Sequence, residues 1–127
     1  MYTHKGRLFA GAWNRTGDNV WARDVFAGVP ITVGETHHVV LVVNPANGRL
    51  KLFLDGQRVA NKSGVGILET HSGNIGIGAR NDSTRFANRA RAGGDGNFFD
   101  GVIDEVAIYN VKLGLAQVRA HFAAAQD

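Results

Sequence analysis

Cysteine is absent from the 127 residues, which removes disulfides and thiolate chemistry from any account of the chain. Only two prolines interrupt it. No apolar run approaches the roughly 18 residues that a membrane-spanning helix needs. The opening Met1-Tyr2-Thr3-His4-Lys5-Gly6 has no apolar core of the kind a signal peptide carries, so the expectation is a chain that acts where it is made, or one cut from something longer. Zinc-type spacing is missing as well. His37 and His38 are neighbours that a strand would point to opposite sides, and His4, His71 and His121 stand far apart. No nucleophile-elbow context supports a serine-histidine triad.

Glycine is abundant, at 17 residues, and with so little proline it reads as the many short connections of an all-β domain. The length fits one domain with a real core. A net charge of +3 permits an acidic partner without demanding one. Residues 6–13 alternate loosely as a strand, 14–19 carry turn chemistry, and 20–26 return as a second strand before Gly28-Val29-Pro30 interrupts. A β-branched run, His37-His38-Val39-Val40-Leu41-Val42-Val43-Asn44, is closed by Pro45 and by Asn47-Gly48, a hairpin signal. Leu50, Leu52 and Leu54 then alternate with Lys51, Phe53 and Asp55, and Asp55-Gly56 is a second tight-turn pair. Residues 73–79, with alternating glycines, read as a short strand. The chain closes with a predicted helix that sets Leu115, Val118 and Phe122 on one face.

Residues 98–110 form the strongest strand pattern of all. Val102, Val106 and Ile108 share one parity and Ile103, Ala107 and Tyr109 the other, so the pattern predicts a central strand covered on both faces. Asp104 falls on the first parity. A carboxylate on a buried stripe needs a partner, which can be a backbone amide, an arginine or a metal.

The order of these pieces resembles the laminin G-like jelly rolls of the concanavalin A-like lectin/glucanase superfamily. The resemblance runs from the His37-His38-Val39-Val40 strand through Leu50-Lys51-Leu52-Phe53-Leu54-Asp55-Gly56 and Ile75-Gly76-Ile77-Gly78-Ala79-Arg80. It ends with Phe99-Asp100-Gly101-Val102-Ile103-Asp104-Glu105-Val106-Ala107-Ile108-Tyr109-Asn110 and the terminal helix. It implies an all-β, two-sheet antiparallel jelly-roll sandwich with a short C-terminal helix, of a kind that mostly serves as a sugar- or protein-binding module on extracellular proteins. Thr36 stands where family members usually carry tryptophan, and the family's first strands have no counterpart ahead of residue 6. The expectation is therefore one domain over residues 1–127, truncated at its N-terminal side, with an uncovered edge or face that recruits a second copy as a homodimer.

By the same resemblance, a carboxylate at the place of Asp104 helps to hold a structural calcium ion. Calcium takes six to eight oxygens and Asp104 supplies at most two, so the competing reading, in which loop amides or an arginine satisfy it, stays open. The hydrolytic branch of the superfamily sets its two carboxylates on one face of one strand, about 5 Å apart when configuration is retained. Here the glutamates are only Glu35, Glu69 and Glu105, and Asp104 and Glu105 are adjacent with opposite parity. The chain is not expected to be an enzyme.

Residues 80–97 carry Arg80, Arg85, Arg89 and Arg91 together with Asn81 and Asp82, then a Gly93-Gly94-Asp95-Gly96 tip. These six polar side chains are the expected ligand-binding residues, since loops on a fixed scaffold vary freely and arginine forks grip anionic glycans or phosphates. The ordinary alternative is a solvated loop whose arginines pair with nearby acids. Nucleic acid is not expected as a partner, because Phe86 is the only aromatic in the segment. Trp13, Trp21 and Tyr2 serve either as a sugar-stacking platform or as packing across the first hairpin. Two functions follow as expectations: a lectin-like module binding carbohydrate or protein through loops, and an assembly domain that mainly binds itself.

Overall fold

The computed structural model describes residues 1–12, 14–16, 20–21, 25–68, 76–79, 84–85, 91–92 and 97–126, with backbone alone at 12, 14–16, 20–21, 25–26, 67, 84–85 and 91–92. The chain divides into two compact units, residues 1–69 with 109–127, and residues 70–108.

The first unit is a sandwich. One sheet has the order β1 (Tyr2–His4), β2 (Arg7–Ala12), β5 (Val25–Pro30), and the other the order β6 (Val39–Asn44), β7 (Arg49–Leu54), β8 (Gln57–Ser63). All pairings in both are antiparallel. A smaller ladder joins β3 (Asn14–Thr16) to β4 (Val20–Trp21) and to β9 (Ile67–Leu68). Leu8 and Ala10 of β2, Ala27 and Val29 of β5, Leu50 and Leu52 of β7, and Val65 form one buried cluster between the two main sheets. The leucine parity anticipated for residues 50–54 is therefore the inner face. On the other face of β6 and β7, Val42 and Phe53 meet Val118 of the helix α1 (Leu115–Ala124). The second main sheet is thus covered on both sides. Leu115, expected on the buried side of the helix, is exposed.

Turn chemistry explains the register. After β6, Pro45–Asn47 makes one 3-10 turn, capped by the Asn44 side chain, which accepts from the Ala46 amide, and ended by Gly48 in the left-handed region at φ 65°. Between β7 and β8, Asp55 and Gly56 both take positive φ, 50° and 72°. Such a two-residue turn matches the twist of a hairpin.

Three expectations are corrected. Gly28 does not interrupt a strand: β5 runs through it to Pro30, because the Phe9 ring lies across the space a side chain would fill, with a Cβ there only 2.6 Å from the ring edge. Residues 76–79 belong to no strand, 77–79 being bends, and 73–75 lie outside the described residues.

The largest change concerns residues 98–110. They form no ladder, and the chain there is exposed throughout, with Val102 90% and Ile108 80% exposed. The physical reason is local. Glu105 sits at φ 51°, outside the extended region, so the alternation of side chains breaks in the middle of the run. At its start, Phe99 donates to the Gly78 carbonyl at 2.7 Å, a bond to a bend rather than to a strand. No helix among the described residues is long and apolar enough to cross a membrane.

Candidate functional site

The six side chains expected to bind a ligand divide into two groups. Arg80, Asn81, Asp82 and Arg89 lie outside the described residues. At Arg85 and Arg91 the backbone alone is described: β10 (Thr84–Arg85) and β11 (Arg91–Ala92) pair antiparallel and set position 85 directly opposite position 91, with Thr84 opposite Ala92. Opposite residues of an antiparallel pair share a face with Cβ atoms about 5 Å apart, and like charges in that relation are destabilising. The sequence marked the arginines, but only the register shows which two stand together.

Asp104 is corrected in its surroundings. It is exposed, not buried, and its Oδ1 accepts the Glu105 amide at 2.8 Å. That bond spans adjacent residues and accompanies the positive φ of Glu105. A calcium ion would need at least four oxygens beyond the two of this carboxylate. Among the described residues, no group of three or more acidic or imidazole side chains is gathered to hold a metal. The acidic side chains described near Asp104 therefore do not make a calcium site by themselves.

A third constellation lies at the β7–β8 turn, where sequence reasoning considered the histidines only as metal ligands. Asp55 is held there by its own amide, which donates to the His38 carbonyl at 2.9 Å. Its carboxylate accepts the His38 amide at Oδ1, 2.9 Å, and meets the His37 ring Nδ1 at Oδ2, 2.8 Å. The other ring nitrogen of His37, Nε2, faces the Thr32 carbonyl at 3.1 Å. Both nitrogens thus face acceptors, an arrangement that the doubly protonated ring satisfies and the neutral ring does not. The His37 pKa is accordingly raised, first by the Asp55 hydrogen bond, against a smaller opposing effect of burial.

His38 has the opposite environment. Burial pushes its pKa down, helped by the neighbouring His121 and opposed by Asp55. Its ring lies 6.0 Å from that of Phe122, and its Nδ1 is buried with no partner among the described residues. Tyr109 stacks on His121 at 5.7 Å. A histidine-carboxylate pair resembles half of a catalytic relay, but Thr32 already occupies the nitrogen a general base would use. The pair acts as a clamp that ties the entry of β6 to the β7–β8 turn.

With two sheets sharing an apolar interior and a terminal helix on the outer face of the second, the chain matches a family model described as the concanavalin A-like lectin/glucanases superfamily, in its laminin G-like form, over residues 2–119. The chain belongs to this superfamily. Searches among curated proteins and among solved structures each found no match. The laminin G-like match takes in both main sheets, residues 98–110 and half of α1. Membership accordingly stands although residues 98–110 do not pair as a strand here. It implies a binding module, on a scaffold whose core is built and whose connecting segments carry the variable chemistry.

Proposed function

We propose that the chain is a non-catalytic, lectin-like binding module whose ligand is an anionic carbohydrate, held by the arginine segment of residues 80–97. The observation that carries this reading is the register of β10 and β11, which puts Arg85 opposite Arg91. Two arginine positions opposite each other in a ladder suit a ligand that carries sulfate or carboxylate groups, since arginine engages either in forked hydrogen bonds. The superfamily match supports the module, and the arginines supply its preference for negative charge.

The clamp at Asp55 supports the non-catalytic part, since its histidine has no nitrogen left for proton transfer. An acidic protein segment would satisfy the same two positions, and the test separates the two ligands. Calorimetric titration with a sulfated oligosaccharide, and in parallel with an acidic peptide of equal charge, is expected to show tighter binding of the sugar. Its affinity should fall as salt is raised and be lost in Arg85→Gln/Arg91→Gln. Equal or better binding of the peptide, or sugar binding indifferent to both arginines, would refute the reading.

A further inference from the structure

The apolar stretch that failed to pair and an open sheet edge in the same chain complement each other. In the sheet β6-β7-β8, β6 is an edge, and among the described residues no strand pairs with its outer side. Its sequence is Val39-Val40-Leu41-Val42-Val43-Asn44, with no charge, no proline and no bulge. Edges of this kind are a template for another strand, and proteins ordinarily guard them with lysine, proline or distortion. The other edge of the sheet, β8, is guarded: Arg58 and Lys62 lie on it and six of its seven residues are exposed.

Residues 106–111, Val106-Ala107-Ile108-Tyr109-Asn110-Val111, are likewise six residues long and uncharged. All six are exposed, and Val106, Ile108, Tyr109 and Val111 are large apolar side chains facing water. We propose that residues 106–111 of one copy add as an antiparallel strand to the outer edge of β6 in a second copy, each copy donating and accepting.

Direction follows from charge. Run antiparallel, Val106 lies at the Asn44 end of β6, so Asp104 and Glu105 fall at the end of the sheet where Arg49 stands one strand further in, opposite Asn44. Run parallel, the two acids would fall at the other end, where the charges of Asp55 and of the His37 bonded to it offset each other and offer no net base. Pattern agrees as well. The segment is apolar on both parities, as a strand beside β6 must be, since that sheet is covered on one face by the shared core and on the other by Val118.

The second copy is the natural occupant because the chain carries both halves of the joint. A reciprocal exchange makes the contact twice, as closed two-fold symmetry requires. Each large apolar side chain covers on the order of 100 Å². With both copies counted, and the accepting edges added, the joint falls near the roughly 1,200 Å² at which stable interfaces begin. The inference is independent of the ligand reading, since it uses none of the arginines of residues 80–97.

The test is sedimentation of the whole chain across the micromolar range, combined with hydrogen exchange of the backbone amides. The expected result is a monomer-dimer equilibrium in which amides of 39–44 and 106–111 become protected together as concentration rises. Ile108→Lys should raise the dissociation constant roughly a hundredfold or more by placing an unpaired charge in the joint. Its far-ultraviolet circular dichroism should be that of the parent, because Ile108 is exposed in the free chain, and Ile108→Leu should keep the dimer. A monomer at all concentrations, a dimer indifferent to Ile108→Lys, or protection of 106–111 while the chain is monomeric would each overturn the proposal.

Discussion

His37 and His38 are neighbours whose titrations oppose each other. For His37 the folded-state pKa is raised, so its contribution to stability is complete below the unfolded value near 6.5 and is lost as pH rises through the higher folded value. For His38 the folded value is lowered by burial, so stability is lost as pH falls from the unfolded value through the folded one. In the parent chain the two slopes partly cancel. Thermal melts between pH 5 and pH 8 should therefore separate them: His38→Gln should gain stability on acidification relative to the parent, and His37→Gln should lose it. Asp55→Asn keeps a side chain that tolerates positive φ but removes the charge, and should abolish the His37 effect. A parallel pH dependence in all three variants would contradict the clamp. The metal is tested at the same scale. Asp104 bonds only the next amide along among the bonds described for it, so adding a chelator should leave the melting midpoint where it was, and Asp104→Ala should change stability by no more than about 0.5 kcal/mol. A midpoint that drops with chelator and returns with calcium would restore the ion.

At the scale of elements, the hairpins from residue 39 to residue 63 were legible because their turns are written locally: Asn47-Gly48 and Asp55-Gly56 supply the positive φ that the backbone uses. The terminal helix was legible for a similar reason, since Val118 carries its buried face. Residues 98–110 were not. Parity counts apolar side chains, but it does not reveal whether a partner strand arrives, nor that Glu105 takes φ 51°. The glycine at position 28 misled in the other direction, because its role depends on a ring from β2 rather than on its neighbours in sequence. Gly28→Ala should therefore destabilise the first sheet by about 1–3 kcal/mol through overpacking against Phe9, itself stacked on Tyr2. Gly56→Ala meets both a strained φ and Phe122 at 3.0 Å, and should cost about as much. Denaturant unfolding checks both, and a neutral Gly28→Ala would show that the ring is free to move aside.

For the whole molecule, stability rests on the interior shared by the two main sheets and on the helix-covered outer face of the second. Leu52 is fully buried in that interior, so Leu52→Ala should cost about 2–5 kcal/mol by leaving a cavity. The candidate ligand site was legible as composition only. Four arginines in residues 80–91 concentrate positive charge, but which of their positions pair is a matter of strand register, and β10 and β11 are too short for alternation to reveal it. The clamp at Asp55 went unseen because adjacent histidines look useless as metal ligands, and nothing local says that a turn eighteen residues on from His37 brings a carboxylate to both.

Probing an array of sulfated, carboxylated and neutral glycans with the parent chain and with Arg85→Gln/Arg91→Gln bears most directly on the account. The parent should bind the charged sugars, ignore the neutral ones and lose its signal in the double variant while keeping the same melting transition. Preference for neutral sugars, or an unchanged profile in a folded double variant, would contradict it.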